Sequence, residues 1–264
     1  MSPTIKTTIN VVLLCWLTLA VTAERALCQG QADQYAAQGD KYFKAGDYSK
    51  AIEAYGKAVA LDPSRGLTYY GLALCYHQQE NWQAAVDNWE KARPLLLPEA
   101  AMLLIMANDY WHLKQYDNAL KILRDGIALR PDPPVLAMFH YWTGVIDNEL
   151  GQSAKAAAQL EKALRMKPND PDFNFELGSA YYNLQRYSEA IAPLQLTIRS
   201  RPDDAAAYYE LGIAYVRLRR QDEALDVYKQ LVVIDRVRAA ALHHQIMGGT
   251  SRHSGSSAKG QQPL

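Results

Sequence analysis

The chain has 264 residues, of which 49% are apolar and 21% charged, a composition typical of folded globular proteins that excludes wholesale disorder. Its 28 basic and 28 acidic residues cancel, so the chain lacks the excess positive charge expected of a nucleic-acid-binding protein. Tyrosine is abundant, with 17 residues against 4 phenylalanines, and it suits half-buried positions because its ring packs while its hydroxyl stays solvated.

The N-terminal segment, residues 1–23, has the pattern of a secretory signal peptide. A lysine precedes a nearly continuous apolar run over residues 9–21. This run is shorter than the ~20 residues that a membrane-spanning helix needs, and an uncleaved membrane anchor is the alternative. We predict export to the periplasm or the exterior, with cleavage after Ala23 or, as second choice, after Gly30. Residues 24–31 would then form a linker.

From residue 32 onward the sequence repeats itself at fixed intervals. Small residues recur at spacings of 34, 34, 37, 34 and 34, at Gly39, Ala73, Ala107, Gly144, Gly178 and Gly212. Alanines recur at the same spacings, at Ala51, Ala85, Ala119, Ala156, Ala190 and Ala224. An aromatic or large apolar residue follows each alanine by four positions, and prolines close most units. Six in-phase copies of such a unit are typical of stacked two-helix repeats.

These positions resemble the pattern of the tetratricopeptide repeat family. One unit carries the pattern as Leu177, Gly178, Tyr181, Ala190, Leu194 and Pro202. The resemblance implies an all-α fold, an α-solenoid of helix-turn-helix units in which the small residues lie where two helices cross. The six predicted repeats are 32–65, 66–99, 100–133, 137–170, 171–204 and 205–238.

Several residues depart from this pattern or punctuate it. Gly46 and Gly151 mark turns between paired helices, because glycine permits the left-handed backbone of a helix end. The insertion at residues 134–136 predicts a small kink in the stack. Asp147 stands where other repeats carry an aromatic residue. Pro193 falls inside a predicted helix, where it should remove one hydrogen bond and bend the helix unless the stack compensates.

A capping helix is predicted after the sixth repeat, over residues 236–247. Ala240, Leu242 and Ile246 would cover the open end of the array while the polar residues face water. Residues 248–264 are rich in Gly, Ser, Gln and Lys, so we expect a disordered tail there.

No motif for catalysis or metal binding occurs in the sequence. Phosphate-binding loops and the HExxH, GxSxG and CxxC patterns are all absent. Cys75 falls at a small core position, and a disulfide between Cys28 and Cys75 is left open. We therefore expect no enzyme activity, no cofactor and no metal site.

The family resemblance also implies where a partner would bind. The first helix of each repeat is expected to line a concave groove, and its facing positions here are aromatic and amide-rich with little charge. The predicted peptide-binding residues are Phe43, Tyr70, His77, Asn108, Trp111, Tyr141, Asn148, Phe175, Tyr182, Asn183 and Tyr209. Rings supply contact area and asparagines can pair with a peptide backbone. The alternative is that individual rings only pack against the neighbouring repeat.

The sequence thus predicts a non-catalytic scaffold or adaptor that is exported and binds other proteins or peptides. We expect no nucleic-acid partner and no membrane span in the mature chain. Two alternatives stay open: a self-assembling structural repeat protein, or an accessory subunit of an envelope assembly or secretion complex.

Overall fold

The computed structural model describes the backbone of residues 3–251 and the side chains of residue 22 and residues 24–248. The chain divides into two compact units, the N-terminal half (residues 1–119) and the C-terminal half (residues 120–264). Over residues 3–251 the elements are α-helices and one short 3₁₀ helix, with no β-strand. The predicted all-α fold class, built from helix-turn-helix repeats, is confirmed.

The N-terminal half alternates first and second helices of successive repeats. Its helices are α1 (Pro3–Lys44), α2 (Tyr48–Leu61), α3 (Gly66–Gln78), α4 (Trp82–Ala92) with a 3₁₀ turn at Arg93–Leu95, and α5 (Ala100–His112). Helix α6 (Tyr116–Ala128) begins in this half and ends in the next. Helix α1 runs unbroken through residues 24–31, where we expected a linker. That segment contains no proline, so nothing in it interrupts the helical hydrogen bonds.

The C-terminal half continues the alternation. Its helices are α7 (Pro133–Glu149), α8 (Ser153–Met166), α9 (Pro171–Asn183), α10 (Tyr187–Ser200), α11 (Ala205–Arg217), α12 (Gln221–Ile234) and α13 (Arg236–Ser251). Helix α7 has 17 residues, whereas α9 and α11 have 13 each. The insertion at residues 134–136 lies in the first turn of α7, which begins at Pro133, a residue well suited to that position.

The turn between the two helices of each repeat has the same backbone geometry throughout. Residues with positive φ stand at equivalent places in all six repeats, at Gly46, Glu80, Lys114, Gly151, Gln185 and Arg219. The next residue donates its N–H to the carbonyl five residues back, as Asn81 does to Tyr76 at 2.9 Å. This bond pattern is the Schellman motif. Four of the six repeats therefore place a non-glycine residue in a conformation that favours glycine.

Small residues allow the crossing helices to approach closely. A Cβ atom added at Gly178 would lie 2.7 Å from the side chain of Leu194, on the second helix of the same repeat. In the last repeat the neighbour comes from the capping helix instead, because a Cβ at Gly212 would lie 2.5 Å from Leu242. Tyr228, at the position that Leu194 holds in its repeat, pairs with a ring of the capping helix at His243.

Helix α13 packs one apolar face against the two helices of the last repeat. The buried residues of this face are Ala239, Leu242 and Ile246. The prediction for Ala240 was wrong: Ala240 is exposed, because spacings of three and four residues, counted from Ala239, define the buried face. The helix continues to Ser251, so residues 248–251 of the predicted disordered tail are helical, and residues 252–264 lie outside the described residues.

Pro193 is accommodated inside a continuous helix. Helix α10 runs past it to Ser200, and Pro193 itself is buried. The hydroxyl of Thr197 lies 3.1 Å from the Pro193 carbonyl and 3.3 Å from the Pro171 carbonyl of α9. Contacts of this kind hold α10 in place although the proline has no N–H for the helix.

Asp147 and the cysteines occupy structural positions. Asp147 is buried at the end of α7, and this burial raises the pKa of its carboxyl group. Cys75 is fully buried in α3, and burial raises the pKa of its thiol to about 12. Cys28 on α1 is half-buried, and both cysteines are free thiols. Cys75 therefore packs as a small core residue.

Candidate functional site

The predicted binding residues of the N-terminal half form what we call its first-helix face: Phe43, Tyr70, His77, Asn108 and Trp111. All five side chains are half-buried. The ring of Phe43 lies 5.6 Å from that of Tyr48, and the ring of Tyr70 lies edge-on to Trp89 at 5.2 Å. The rings of Phe43 and Tyr70 therefore pack within their own repeats and leave part of their surface exposed.

A buried carboxylate that we did not predict anchors this face. Asp109 has no exposed surface, and its Oδ1 lies 2.5 Å from Nδ1 of His77. The indole N–H of Trp89 donates to its Oδ2 at 2.7 Å. A lone aspartate within the apolar run of α5 was the available sequence signal, because a buried carboxylate needs partners. His77 thus has a structural partner as well as an accessible edge.

Aromatic rings continue from His77 across the face. Trp82 lies edge-on to His77 at 5.5 Å and stacks parallel on His112 at 4.0 Å. Trp111 follows edge-on to His112 at 4.8 Å. Such ring pairs contribute more than their buried area alone. Four rings of the N-terminal half, His77, Trp82, His112 and Trp111, therefore form one connected row.

The C-terminal half carries the other six predicted residues, which form its first-helix face: Tyr141, Asn148, Phe175, Tyr182, Asn183 and Tyr209. They lie on α7, α9 and α11, and α9 contacts both of the others. Asn183 is exposed, and the remaining five are half-buried. Tyr141 stacks on Phe173 at 4.7 Å, so part of its ring serves packing between α7 and α9.

Two glutamates that we did not predict stand beside these residues, outside the facing positions for which we expected little charge. The side-chain amide of Asn148 donates to Glu176 Oε2 at 2.9 Å. The hydroxyl of Ser179 donates to Glu210 Oε2 at 2.7 Å. Both glutamates occupy the sixth position of their repeats, which is not among the facing positions that the family resemblance implied. Their contacts join helices about 30 residues apart in sequence, so local patterns did not reveal them.

Burial and neighbouring acids shift the titration of both glutamates. Burial raises the pKa of Glu210 to about 7, with the nearby Glu176 and Asp204 adding to the effect and the Ser179 hydrogen bond opposing it. Burial likewise raises the pKa of Glu176, against the hydrogen bond from Asn148. Desolvation disfavours the charged form of a carboxyl group. With a pKa of about 7, Glu210 is partly protonated at neutral pH.

Two further observations concern metal binding and membrane-spanning helices. Among the side chains that the structure describes, no group of three or more His, Cys, Asp or Glu residues is placed to hold a metal ion. Within the described residues, no helix combines the length and apolar character needed to cross a bilayer.

Comparison with known families decides the classification. A family model described as TPR repeat matches residues 39–80. A second model, described as tetratricopeptide repeat, matches residues 149–203 and 194–241. Together the matched residues make up just over half of the chain. The chain belongs to the tetratricopeptide repeat family. The resemblance drawn from its sequence is thereby confirmed.

Curated relatives share the repeat over part of their length. TPR repeat-containing protein MJ1428 of Methanocaldococcus jannaschii is 30% identical over 146 residues, which cover 52% of this chain and 25% of the relative. Small glutamine-rich tetratricopeptide repeat-containing protein 2 of Mycosarcoma maydis is 27% identical over 106 residues, or 40% of this chain and 30% of the relative. The matches thus span less than a third of either relative.

A pilus protein is similar over a longer stretch. Type IV pilus assembly protein PilF of Pseudomonas aeruginosa is 23% identical over 155 residues, covering 59% of this chain and 61% of the relative. The solved structure of that protein has a TM-score of 0.66 at 19% identity, covering 83% of this chain and 99% of the other. A tetratricopeptide repeat structure from Cytophaga hutchinsonii gives a TM-score of 0.64, also at 19% identity, with coverage of 83% and 96%. At these identities the likeness establishes the fold alone.

Proposed function

We propose that this tetratricopeptide repeat protein is a non-catalytic scaffold whose first-helix faces bind a peptide or protein segment. Proteins of this family generally mediate protein–protein interactions. One observation carries the proposal: adjacent first helices present half-exposed rings and amides side by side, as Tyr141, Phe175 and Tyr209 do on α7, α9 and α11. Tyrosine and tryptophan are among the side chains that most often supply binding energy at protein interfaces.

Export is part of this proposal. Residues 1–23 carry the signal-peptide pattern, with cleavage after Ala23 or Gly30, and retention as an N-terminal membrane anchor is the alternative. The partners are other proteins or peptides. Nucleic acid is not among the proposed partners, since the 28 basic and 28 acidic residues leave no positive excess.

A second candidate function is an accessory subunit of an envelope assembly complex. The favouring observation is the likeness to PilF, a protein named for type IV pilus assembly, whose solved chain is covered to 99%. This candidate places the same binding faces in a larger assembly. Self-assembly of the chain is the remaining alternative, and a monomer mass independent of concentration in solution would exclude it.

Selection of peptide ligands tests the main proposal. A library of random 12-residue peptides is displayed on phage and selected on the purified full chain, and the enriched peptides are synthesised. We expect W111A/Y182A to lose binding by about tenfold or more, because truncating aromatic contacts at an interface commonly costs roughly 1–2 kcal/mol or more. The matched control is Y69A/Y228A, which removes two half-buried tyrosines outside the predicted binding positions. Equal binding by W111A/Y182A and wild type, or failure to enrich any peptide, contradicts the proposal.

A further inference from the structure

We propose that the segment bound by the C-terminal half is basic, with a lysine or arginine side chain lying between Glu176 and Glu210 and against the adjacent tyrosine rings. This inference rests on the proposed function and specifies the chemistry of the partner. It also restricts the preference to one half of the chain.

The two carboxyl groups are held in equivalent ways on adjacent first helices. In each, Oε2 accepts a hydrogen bond from a neutral donor on the preceding first helix, Asn148 or Ser179. Among the described residues, no hydrogen bond reaches Oε1 of Glu176 or Glu210. Each glutamate is therefore oriented by one oxygen and offers the other to a ligand.

The described part of the chain supplies no ion-pair partner to these two carboxyl groups. Among the described residues neither Glu176 nor Glu210 forms a salt bridge. The surrounding groups are mainly acidic, since Glu149 and Asp172 act on Glu176 and Asp204 acts on Glu210. The nearby Arg201 is already engaged, with its guanidinium 2.5 Å from Asp172 and 3.1 Å from Asp204. Partly buried charges interact more strongly than exposed ones, so a partner cation here would gain substantial attraction.

Tyrosine rings border the carboxyl groups. Tyr141 lies within the electrostatic reach of Glu176, and Tyr182 lies within that of Tyr209 and Glu210. Arg217 also acts on Tyr182, but it forms no described salt bridge with either glutamate. Elsewhere in this half, Arg186 lies over the Tyr181 ring at 4.6 Å, so the fold already contains one arginine–tyrosine pair. No described cation lies over Tyr141, Tyr182 or Tyr209. Rings and carboxylates together are the usual surroundings of a bound ammonium or guanidinium group.

The position does not need a carboxyl group for folding. In the other four repeats the sixth position holds Ala37, Gly71, Ile105 and Trp142. The glutamates therefore appear only in repeats five and six, although all six repeats share one fold. Burying an unpaired carboxylate costs free energy, and a cationic partner would offset that cost in the complex.

Charge-matched peptides test the inference. Fluorescently labelled 12-residue peptides that alternate alanine with lysine, glutamine or glutamate are titrated with the full chain at pH 8 and low salt, and anisotropy is read. We expect the lysine peptide to bind about tenfold or more tightly than the glutamine peptide, and E176Q/E210Q to lose about tenfold in affinity for it. The control E53Q/E80Q removes the same charge from exposed sites in the N-terminal half and should leave affinity unchanged. Binding should also weaken from pH 8 to pH 6, as Glu210 gains its proton.

The glutamine variant keeps a hydrogen-bond acceptor at both positions, so it should remain folded, which a thermal melt verifies. Equal affinity for lysine and glutamine peptides, or full affinity in E176Q/E210Q, would overturn the inference. The proposed function fails in a different way, because phage-selected peptides would then bind W111A/Y182A as they bind wild type. A selected peptide that needs Tyr182 but tolerates E176Q/E210Q keeps the proposed function and removes the basic preference.

Discussion

The indole N–H of Trp89 donates a hydrogen bond of 2.7 Å to the carboxylate of Asp109, and neither side chain has exposed surface. The bond joins the second helix of repeat two to the first helix of repeat three. We expect D109A to lower the free energy of unfolding by about 2–4 kcal/mol, because it leaves the buried indole N–H of Trp89 and the half-buried His77 ring without their shared acceptor.

The control D109N retains a side-chain oxygen that can accept from Trp89, so we expect a smaller loss than in D109A. Urea denaturation of the three proteins measures both effects. Equal stability of D109A and D109N would show that the carboxylate contributes nothing through its acceptor oxygens.

The left-handed turns provide a second prediction. Gln185 has φ 59° at the position where repeat four has Gly151 with φ 69°. Because glycine adopts this conformation without steric cost, Q185G should raise the free energy of unfolding by roughly 1 kcal/mol, and G151Q should lower it by a similar amount. Thermal and urea denaturation check the pair. Changes of the same sign in both variants would contradict this explanation.

Helix crossing gives a third prediction. A Cβ at Gly178 would lie 2.7 Å from Leu194, so G178A should lower the free energy of unfolding by about 1–3 kcal/mol through overpacking. The control is G56A on α2, where a Cβ would meet nothing within 4 Å and alanine's higher helix propensity should stabilise by roughly 0.5–1 kcal/mol. Calorimetric melts distinguish the two. A stabilised G178A would mean that the helices move apart at little cost.

Glu210 gives the chain a pH-dependent stability. Its pKa is raised from an ordinary 4.5 to about 7 in the folded state, so the folded chain binds more protons than the unfolded chain between those values. The contribution of Glu210 is therefore fully present below pH 4.5 and is lost as the pH rises through 7. Wild type should therefore lose free energy of unfolding between pH 5 and pH 8. E210Q should be spared this loss, which is on the order of 2 kcal/mol. Urea denaturation at both pH values measures this, and parallel pH profiles for the two proteins would refute it.

The fold class was predictable because it depends on local, repeated features. Each repeat needs small residues where its two helices cross, such as Gly144, Gly178 and Gly212 and the alanine that follows each of them. Six copies of this pattern in phase identified the two-helix unit. Turns were predictable where glycine marked them, at Gly46 and Gly151. They were hidden where residues such as Lys114 take the same backbone conformation.

The remaining site features depend on contacts between helices distant in sequence. The bond from Asn148 to Glu176 spans 28 residues and that from Ser179 to Glu210 spans 31. Such pairs depend on the angle and register between neighbouring first helices, which the repeat period does not specify. The same holds for Leu242, which reaches Gly212 from the capping helix.

Site-specific photo-crosslinking tests the central claim most directly. Tyr182 is replaced by p-benzoylphenylalanine in the full chain, which is irradiated with a peptide enriched by phage selection. The same replacement at Tyr228 serves as the control, because Tyr228 lies on α12 beside His243 of the capping helix. We predict a peptide adduct at position 182 and none at position 228. An adduct only at position 228, or at neither position while the peptide still binds, would contradict recognition on the first-helix face.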